Sequence, residues 1–426
     1  MKINATIDYT KFRNFIASIC RYLLPDAIMN RLRYCRQLLF HEVWRLRWRI
    51  RTKLFPYKYH RDPYVKDGWY MINPEKVTLV SSREFPFYRK DGSIIAGNWD
   101  IIGIKKFEEQ DFFTSFRDHA YNNIPWVKTA YYQRVVSEIT QGTVKWGCKT
   151  IEDFNKRIRK LDLIYEDIKR NGYRQIDKDA SITINIGRHG DLLFNGGRHR
   201  MTFCKDLGIE EIPVRTTVRH AKWVHFKNEI LEYACKRNGK VYSPLRHIDL
   251  QSVPSHYGHI RYELISKNLS LRQGTLLDIG SNWGYFCHRF EEEGFSCVAV
   301  ENNLTNLYFL RKLKRAENRR FEIVTQSALE FVEEKKKIDV VLALAIFHHF
   351  IKEENTYHGL IRLLGNLEMK EMYFMPHLPK QKQMEGAFKN FDPEEFARFV
   401  IEHSCLNHAK LIGYAEDDRP MYKLYI

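Results

Sequence analysis

Four residues near position 280 have the types and spacing of a nucleotide-cofactor site. Asp278 lies at the end of a short apolar run, and Gly280 and Gly284 follow it in a turn. Glu301 ends a second apolar run, 23 residues past Asp278. Glycines let the backbone approach a ligand closely, and an acid about 20 residues further on can accept hydrogen bonds from ribose hydroxyls. The pattern predicts a strand, a turn, a helix and a second strand around a nucleotide-like cofactor.

The turn reads Asp-x-Gly-x-x-x-Gly and lacks the third glycine of the Gly-x-Gly-x-x-Gly pattern. That glycine lets a helix start sit against a pyrophosphate, so NAD or FAD is the weaker interpretation. The segment resembles motif I of the class I S-adenosylmethionine (SAM) methyltransferases, and a glycine turn in another α/β domain is the alternative. The resemblance implies SAM as cofactor, with Ser327 standing where the family usually has an acid. The cofactor-binding residues implied are Asp278, Gly280, Ser281, Asn282, Gly284, Glu301, Ser327 and Ala345.

Two adjacent histidines are the candidates for catalysis. His348 and His349 follow an apolar run, residues 338–347, that resembles motif IV of the same family. Histidine titrates near neutral pH, and a base assists methyl transfer when the acceptor is a hydroxyl. We therefore predict that His348 or His349 is the base for a neutral acceptor. An acceptor that is already anionic would need no base. The other alternative is that the two histidines only cap the strand and have no catalytic role.

A second candidate site lies in the middle of the chain, at Asn195-Gly-Gly-Arg-His-Arg. Gly196 and Gly197 leave backbone N–H groups free at the start of a predicted helix, where anions bind well. The next three side chains, Arg198, His199 and Arg200, add charge beside those groups. The turn is predicted to hold the phosphates of a nucleotide or of another phosphorylated ligand. The alternative is that the Arg/His cluster only stabilises the turn and binds no ligand.

The elements around this turn resemble the ParB-like and sulfiredoxin-like domain family. The order is an amphipathic helix from residue 161, a strand at 181–186, the turn, a helix to residue 207 and the segment Gly208-Ile-Glu-Glu-Ile-Pro-Val-Arg. The resemblance implies a bound nucleotide, ATP or another with Mg, and kinase activity in some members. The reactive cysteine of sulfiredoxin corresponds to Arg198 here, so sulfinic acid reduction is set aside. No metal-ligand spacing occurs in the chain, and no protein-bound metal is predicted.

The predicted fold class is α/β. A seven-stranded, Rossmann-like methyltransferase sheet is expected at the C-terminus, because apolar strands alternate with helices and end in a hairpin. An α+β ParB-like domain with an insertion and a basic helical N-terminal arm are expected before it. The predicted domains are the arm at 1–65, the ParB-like domain at 66–220, a helical linker at 221–260 and the methyltransferase domain at 261–426.

The net charge of +17 is concentrated at the N-terminus. Residues 1–60 hold 13 Lys/Arg against three acids, and tryptophans interleave with arginines near position 45. Such a segment suits an anionic membrane surface, a structural arm or nucleic acid, and the indoles favour the membrane. The eight cysteines are scattered and no secretory signal is apparent, which indicates a cytoplasmic protein. The expected location is the cytoplasm, including the inner face of the membrane.

Three functions follow from these observations. The leading hypothesis is a SAM-dependent methyltransferase acting on a hydroxyl of a glycan, a lipid-linked sugar or a phosphorylated small molecule. The second is a nucleic-acid methyltransferase that holds its substrate with the basic arm and the ParB-like domain. That reading is weaker, because no Pro-Pro-Tyr type base-flipping motif follows the fourth strand. The third is a binding module that senses SAM without turnover.

Overall fold

A computed structural model describes residues 68–82, 92–174, 181–332 and 334–426. The predicted basic arm at 1–65 lies outside the described residues. The chain divides into two compact units, each described by itself below. Unit 1 comprises residues 1–188 and 192–224, and unit 2 comprises residues 189–191 and 225–426.

Unit 1 is built on a mixed seven-stranded sheet. Its order is β1-β7-β5-β6-β2-β4, and β3 pairs in parallel with the far end of β7. All five residues of β5 are buried, as expected for a central strand covered on both faces. The strands are β1 (Trp69–Ile72), β2 (Leu79–Val80), β3 (Ser93–Ile95), β4 (Lys105–Lys106), β5 (Ile182–Ile186), β6 (Leu192–Gly196) and β7 (Ile212–His220).

Four helices complete the described part of unit 1 and share an aromatic core. The longest, α3, begins at a capping box in which Thr150 and Asp153 bond each other's backbone, and Gly172 ends it with a left-handed φ of 73°. Phe112, Tyr131 and Phe203 are among the fully buried residues of this core. The helices are α1 (Asp111–Asn122), α2 (Ala130–Thr140), α3 (Ile151–Asn171) and α4 (Arg198–Asp206).

Unit 2 contains the seven-stranded sheet predicted for the C-terminal region. Its order is β10-β9-β8-β11-β12-β14-β13, with parallel pairing through β12 and an antiparallel β13–β14 pair at the edge. This confirms the predicted arrangement of parallel strands followed by a C-terminal hairpin. The strands are β8 (Thr275–Ile279), β9 (Ser296–Val300), β10 (Glu322–Val324), β11 (Lys336–Leu344), β12 (Leu367–Met375), β13 (His408–Tyr414) and β14 (Pro420–Tyr425).

The central strand β11 supplies both hydrophobic cores of unit 2. Val341 and Ala343 pack into one core, while Val340, Leu342 and Leu344 pack into the core on the opposite face. Alternate side chains of a strand point to opposite faces, so a strand covered on both sides must be apolar throughout. The helix α5 (Ala221–Cys235) begins in unit 1 and continues into unit 2. The other helices of unit 2 are α6 (Ile260–Asn268), α7 (Tyr285–Glu292), α8 (Leu304–Ala316), α9 (Ala328–Phe331), α10 (Glu354–Asn366) and α11 (Pro393–Glu402).

One predicted element, the helical linker, differs in the structure, and two other segments form only short elements. The strands β1 and β2 are short and separate, because Pro74 opens a 3-10 turn between them. The linker predicted as helical over 221–260 is helical only in α5 (Ala221–Cys235) until α6 begins, since Asn238 and Gly239 adopt left-handed conformations soon after it. The helix α9 is a single turn, and Lys336 already begins β11. Within the described ranges, no helix has the length and hydrophobicity to cross a membrane.

Candidate functional site

The glycine turn of unit 2 is fixed to the end of the neighbouring strand. The backbone N–H groups of Gly280 and Ser281 donate to the carbonyl of Val300 at the end of β9, at 2.9 and 3.0 Å. Gly284 starts α7 with a φ of 79°, a conformation that side chains with a Cβ rarely adopt. A Cβ on Gly284 would lie 2.5 Å from a methyl of Leu310. The two glycines are therefore required by backbone conformation and by close packing.

Glu301 closes this turn from the second strand. One of its carboxylate oxygens accepts from the N–H of Asn282 at 2.9 Å, and the other accepts from the N–H of Asn303 at 2.8 Å. The Asn306 side chain donates to the first oxygen at 3.3 Å. Glu301 is 8% exposed, and burial raises its pKa while these N–H donors oppose the rise. These three donors use three of the roughly four acceptor positions of a carboxylate, so about one position remains for a hydroxyl of a ligand.

Asp278 is the buried acid beneath the turn. It is 2% exposed, and its Oδ2 has no hydrogen-bond partner. Burial raises the pKa of this carboxyl to about 7, although the positive charge of Arg261 lowers it, and the nearby Glu301 raises it further. Arg261 is 1% exposed and lies 3.8 Å over the ring of Tyr257. A buried acid with an unused oxygen is suited to a cationic ligand, because the cation would favour its ionised form.

The remaining predicted cofactor residues have different surroundings. Ala345, just after β11, has a φ of 56°, and its N–H donates to Met375 at the end of β12. A left-handed alanine is uncommon, and such strain occurs preferentially at functional sites. Ser327 accepts from the N–H of Leu329 as the cap of α9, so its hydroxyl serves the helix. The Oγ of Ser281 is buried and has no hydrogen-bond partner, which is unusual for a buried hydroxyl and is compatible with a hydrogen bond to a ligand.

The two histidines occupy unlike environments in a 3-10 turn after β11. His348 is 4% exposed, with its Nδ1 unpartnered, whereas His349 is exposed. Burial lowers the pKa of His348 to about 3, and the charges of His349, His377 and Lys352 add to this. Partial burial and Lys352 lower the pKa of His349 as well. The fully buried His377 lies 5.9 Å from His348, ring to ring, and contacts Asn390 at 2.8 Å.

The predicted phosphate turn of unit 1 lies in the wall of a large cavity. Gly197 starts α4 with a φ of 86°, and a Cβ there would lie 2.9 Å from the Cα of Ile182. The cavity has a volume of about 750 Å³, which suits a nucleotide-sized ligand. All five predicted residues from Gly196 to Arg200 line it.

His199 adds no charge to this cavity, contrary to the expectation from sequence. Burial lowers its pKa to about 3, and Arg157, Arg198 and Arg200 lower it further. Its Nε2 lies 3.2 Å from the hydroxyl of Tyr131. The ring is therefore neutral at neutral pH and acts as a hydrogen-bonding group. The positive charge of the turn comes from the two arginines.

Several site residues were missed by the sequence analysis. Arg157 and Lys160 from α3, Arg215 from β7 and Trp146 also line the cavity of unit 1. Arg157 and Lys160 share one face of α3 with Leu161, a spacing that is readable from the sequence. Their convergence on a turn some 40 residues later was not readable, because it depends on how α3 packs. Nothing in the sequence around Arg261 of unit 2 indicated that its charge lies near Asp278.

Comparison with known families decides the class of the C-terminal site. Residues 277–365, from β8 through α10, match the family model described as a methyltransferase domain. Unit 2 contains a methyltransferase domain. The cofactor of this class of domain is SAM, and the turn from Asp278 to Gly284 lies at the start of the match. No match was found among the curated proteins.

The solved structures to which the chain is similar include methyltransferases. The chain is similar to a 2.2 Å crystal structure of WbdD, with 19% identity, a TM-score of 0.37 and 46% of each chain covered. Other WbdD structures include one described as a bifunctional kinase-methyltransferase. A SAM-dependent methyltransferase from Archaeoglobus fulgidus is 18% identical, with a TM-score of 0.29 over 36% of this chain and 70% of that chain. The chain thus spans less than half the length of the WbdD chains that it matches. The ParB-like resemblance of unit 1 stays a prediction.

Proposed function

We propose that this protein is a SAM-dependent methyltransferase that methylates a hydroxyl of a glycan, a lipid-linked sugar or a phosphorylated small molecule. The observation that supports SAM best is Glu301, whose carboxylate accepts from the N–H groups of Asn282 in the glycine turn and Asn303 before α8 and keeps about one acceptor position for a ribose hydroxyl. Asp278, with its unused oxygen beneath the turn, would face the positive charge of the cofactor.

The acceptor side of the proposal rests on the residues after β11. Base catalysis is most effective when the pKa of the base lies near the working pH. His349 fits this role better than His348, because His348 is buried and its pKa of about 3 makes it a weak base. Lys352 lies close enough to lower the pKa of both histidines, and its charge would attract an acceptor that carries a phosphate.

Unit 1 is proposed to bind a phosphorylated ligand through the turn from Gly196 to Arg200. The support is the position of the turn at the start of α4, with Arg198 and Arg200 in the wall of one cavity. A kinase using ATP with Mg would need oxygen ligands for the metal, and no carboxylate occurs among the described residues that line the cavity. We therefore propose ligand binding at this site and no phosphoryl transfer. Nothing in the described residues favours nucleic acid as the acceptor.

SAM binding tests the proposal. Glu301→Gln places an NH₂ group where backbone N–H groups now donate, so we expect SAM affinity to fall by about 2 kcal/mol, roughly 30-fold. Isothermal titration calorimetry with purified full-length protein measures this. Glu322→Gln is the matched control, since Glu322 is an exposed glutamate of β10. SAM binding of equal strength in both variants would contradict the assignment of Glu301.

Turnover separates an enzyme from a SAM sensor. An enzyme releases S-adenosylhomocysteine only when an acceptor is present. We expect product formation with hydroxyl-bearing glycans or phosphosugars and none with oligonucleotides. Tight SAM binding without product from any acceptor class would favour a sensor.

A further inference from the structure

The cavity of unit 1 brings positive charge from two separate segments together. Arg198 and Arg200 come from the turn and α4, whereas Arg157 and Lys160 come from α3. Positions 157 and 160 are three residues apart on a helix, so both side chains lie on the same face. The face of α3 that lines the cavity is therefore as basic as the turn.

Three of these cations have no carboxylate partner among the described residues. Within the described ranges, Arg157, Lys160 and Arg200 form no ion pair, and the Nε of Arg157 is buried without a hydrogen bond. Lys156, one residue before Arg157, pairs with Glu152 at 3.0 Å on another face of the helix. Arg157 and Arg200 are partly buried, whereas Lys160 is exposed, and partly buried like charges repel each other unless an anion compensates them. The unpaired set thus points to an anionic ligand that contacts both walls of the cavity.

Trp146 supplies a different kind of contact at the same cavity. Its side chain is 45% exposed, although tryptophan is usually buried, and its backbone has a left-handed φ of 49°. The Arg157 guanidinium lies 5.1 Å from the centre of the indole ring. A strained backbone that holds an aromatic ring at a cavity wall is typical of a ligand contact. An exposed indole is suited to stacking on a planar ring of the ligand.

We propose that this cavity binds a ligand with at least two linked phosphoryl groups and a planar ring, the class of a nucleoside diphosphate, without a divalent metal. One phosphate monoester carries a charge of about −2 at neutral pH, which leaves at least one of the three unpaired cations uncompensated. The turn holds one phosphoryl group, Arg157 and Lys160 hold the next, and Trp146 stacks on the ring. This assignment rests on the proposed phosphate site at the turn and adds the second wall to it.

The experiment compares four probes on the full-length protein in EDTA by calorimetry: phosphate, pyrophosphate, adenosine and ADP. We expect pyrophosphate to bind at least tenfold more tightly than phosphate, and ADP more tightly than pyrophosphate. The double variant Arg157→Gln, Lys160→Gln should bind pyrophosphate no better than phosphate, and Lys156→Gln should match the wild type. Trp146→Ala should weaken ADP about tenfold and leave pyrophosphate unchanged, with Trp146→Phe restoring most of the loss.

Different results overturn different parts of the assignment. Wild-type pyrophosphate affinity in the double variant, with phosphate binding lost in Arg200→Gln, would refute the role of α3 and leave the turn intact. Binding of pyrophosphate only after magnesium is added would refute the metal-free mode. If none of the phosphate probes binds a folded protein, as judged by circular dichroism, the turn itself fails as a phosphate site. Arg157→Lys is the control for misfolding, because it keeps the positive charge and should retain part of the preference for pyrophosphate over phosphate.

Discussion

At the scale of single residues, the structure separates two histidines that look equivalent in the sequence. His349 is exposed, while His348 is buried and has a pKa of about 3. A buried ring with so low a pKa is neutral at pH 7 but accepts protons poorly. We therefore assign the proposed base to His349.

The first prediction concerns His349. If the acceptor is a neutral hydroxyl, His349→Ala should lower kcat by roughly 10²–10⁴ and leave SAM affinity nearly unchanged. Steady-state kinetics with the accepted substrate, together with SAM calorimetry, measure both quantities. His358→Ala is the control, because His358 is an exposed histidine of α10. Full activity in His349→Ala would instead indicate an acceptor that is already anionic.

The second prediction is a pH dependence that arises at Asp278. Burial raises its pKa to about 7 in the free protein, and the sulfonium of SAM favours the ionised carboxylate. Binding therefore releases a proton below pH 7. SAM affinity should rise up to about tenfold per pH unit as the pH increases towards 7, and then level off.

Calorimetry from pH 5.5 to 8, in buffers of different ionisation enthalpy, detects this proton release. Asp278→Asn should bind SAM more weakly at pH 8 and lose the part of the pH dependence that belongs to this carboxyl. The titration of SAM itself affects both proteins equally and cancels in the comparison. Identical pH profiles for the two proteins would show that Asp278 does not face the charged part of the cofactor.

At the scale of elements, the start of α7 depends on Gly284 for two separable reasons. Gly284 and Gly294 both have a positive φ, of 79° and 96°. A Cβ would lie 2.5 Å from Leu310 at position 284, whereas at position 294 nothing lies within 4 Å. An alanine would therefore strain the backbone at both positions, but its Cβ would be crowded by a neighbouring side chain only at position 284.

The third prediction uses this pair. Gly294→Ala should cost about 1–2 kcal/mol of unfolding free energy through strain alone, and Gly284→Ala about 1–3 kcal/mol more through crowding of a packed core. Urea unfolding followed by near-ultraviolet circular dichroism measures the difference. Equal losses in the two variants would mean that Leu310 moves aside without cost.

At the scale of the whole molecule, positive charge is the most unusual property of the chain. Residues 1–60, which lie outside the described residues, carry a net charge of +10. Arg45, Arg47, Arg49 and Arg51 alternate with apolar residues in that segment. A basic residue near an anionic membrane contributes about 1 kcal/mol to binding. We retain the proposal that the arm binds a membrane surface.

The fourth prediction tests that proposal with vesicles. The full-length protein should sediment with vesicles rich in phosphatidylserine, and 0.5 M salt should release it. Replacing the four arginines by glutamine should weaken binding about 10²–10³-fold, while SAM binding stays constant. Equal sedimentation with neutral vesicles, or no sedimentation at all, would contradict an electrostatic membrane contact.

The sequence by itself determined the elements whose signals are local. The run from Val340 to Leu344 was predicted as a central strand, because a strand that is covered on both faces is apolar throughout. The turn at Gly280 and Gly284 and the acid at Glu301 were readable because their spacing is set by one strand–helix–strand unit. The turn at Gly196 and Gly197 was readable for the same reason.

Only the tertiary structure decided which side chains share a site and what charge each carries. Arg157 and Arg200 meet at one cavity although they are 43 residues apart, because α3 packs beside the turn. His199 and His348 are uncharged at neutral pH, because burial removes the water that would stabilise the proton. Burial and long-range packing depend on the whole fold, so residue types and local spacing do not reveal them.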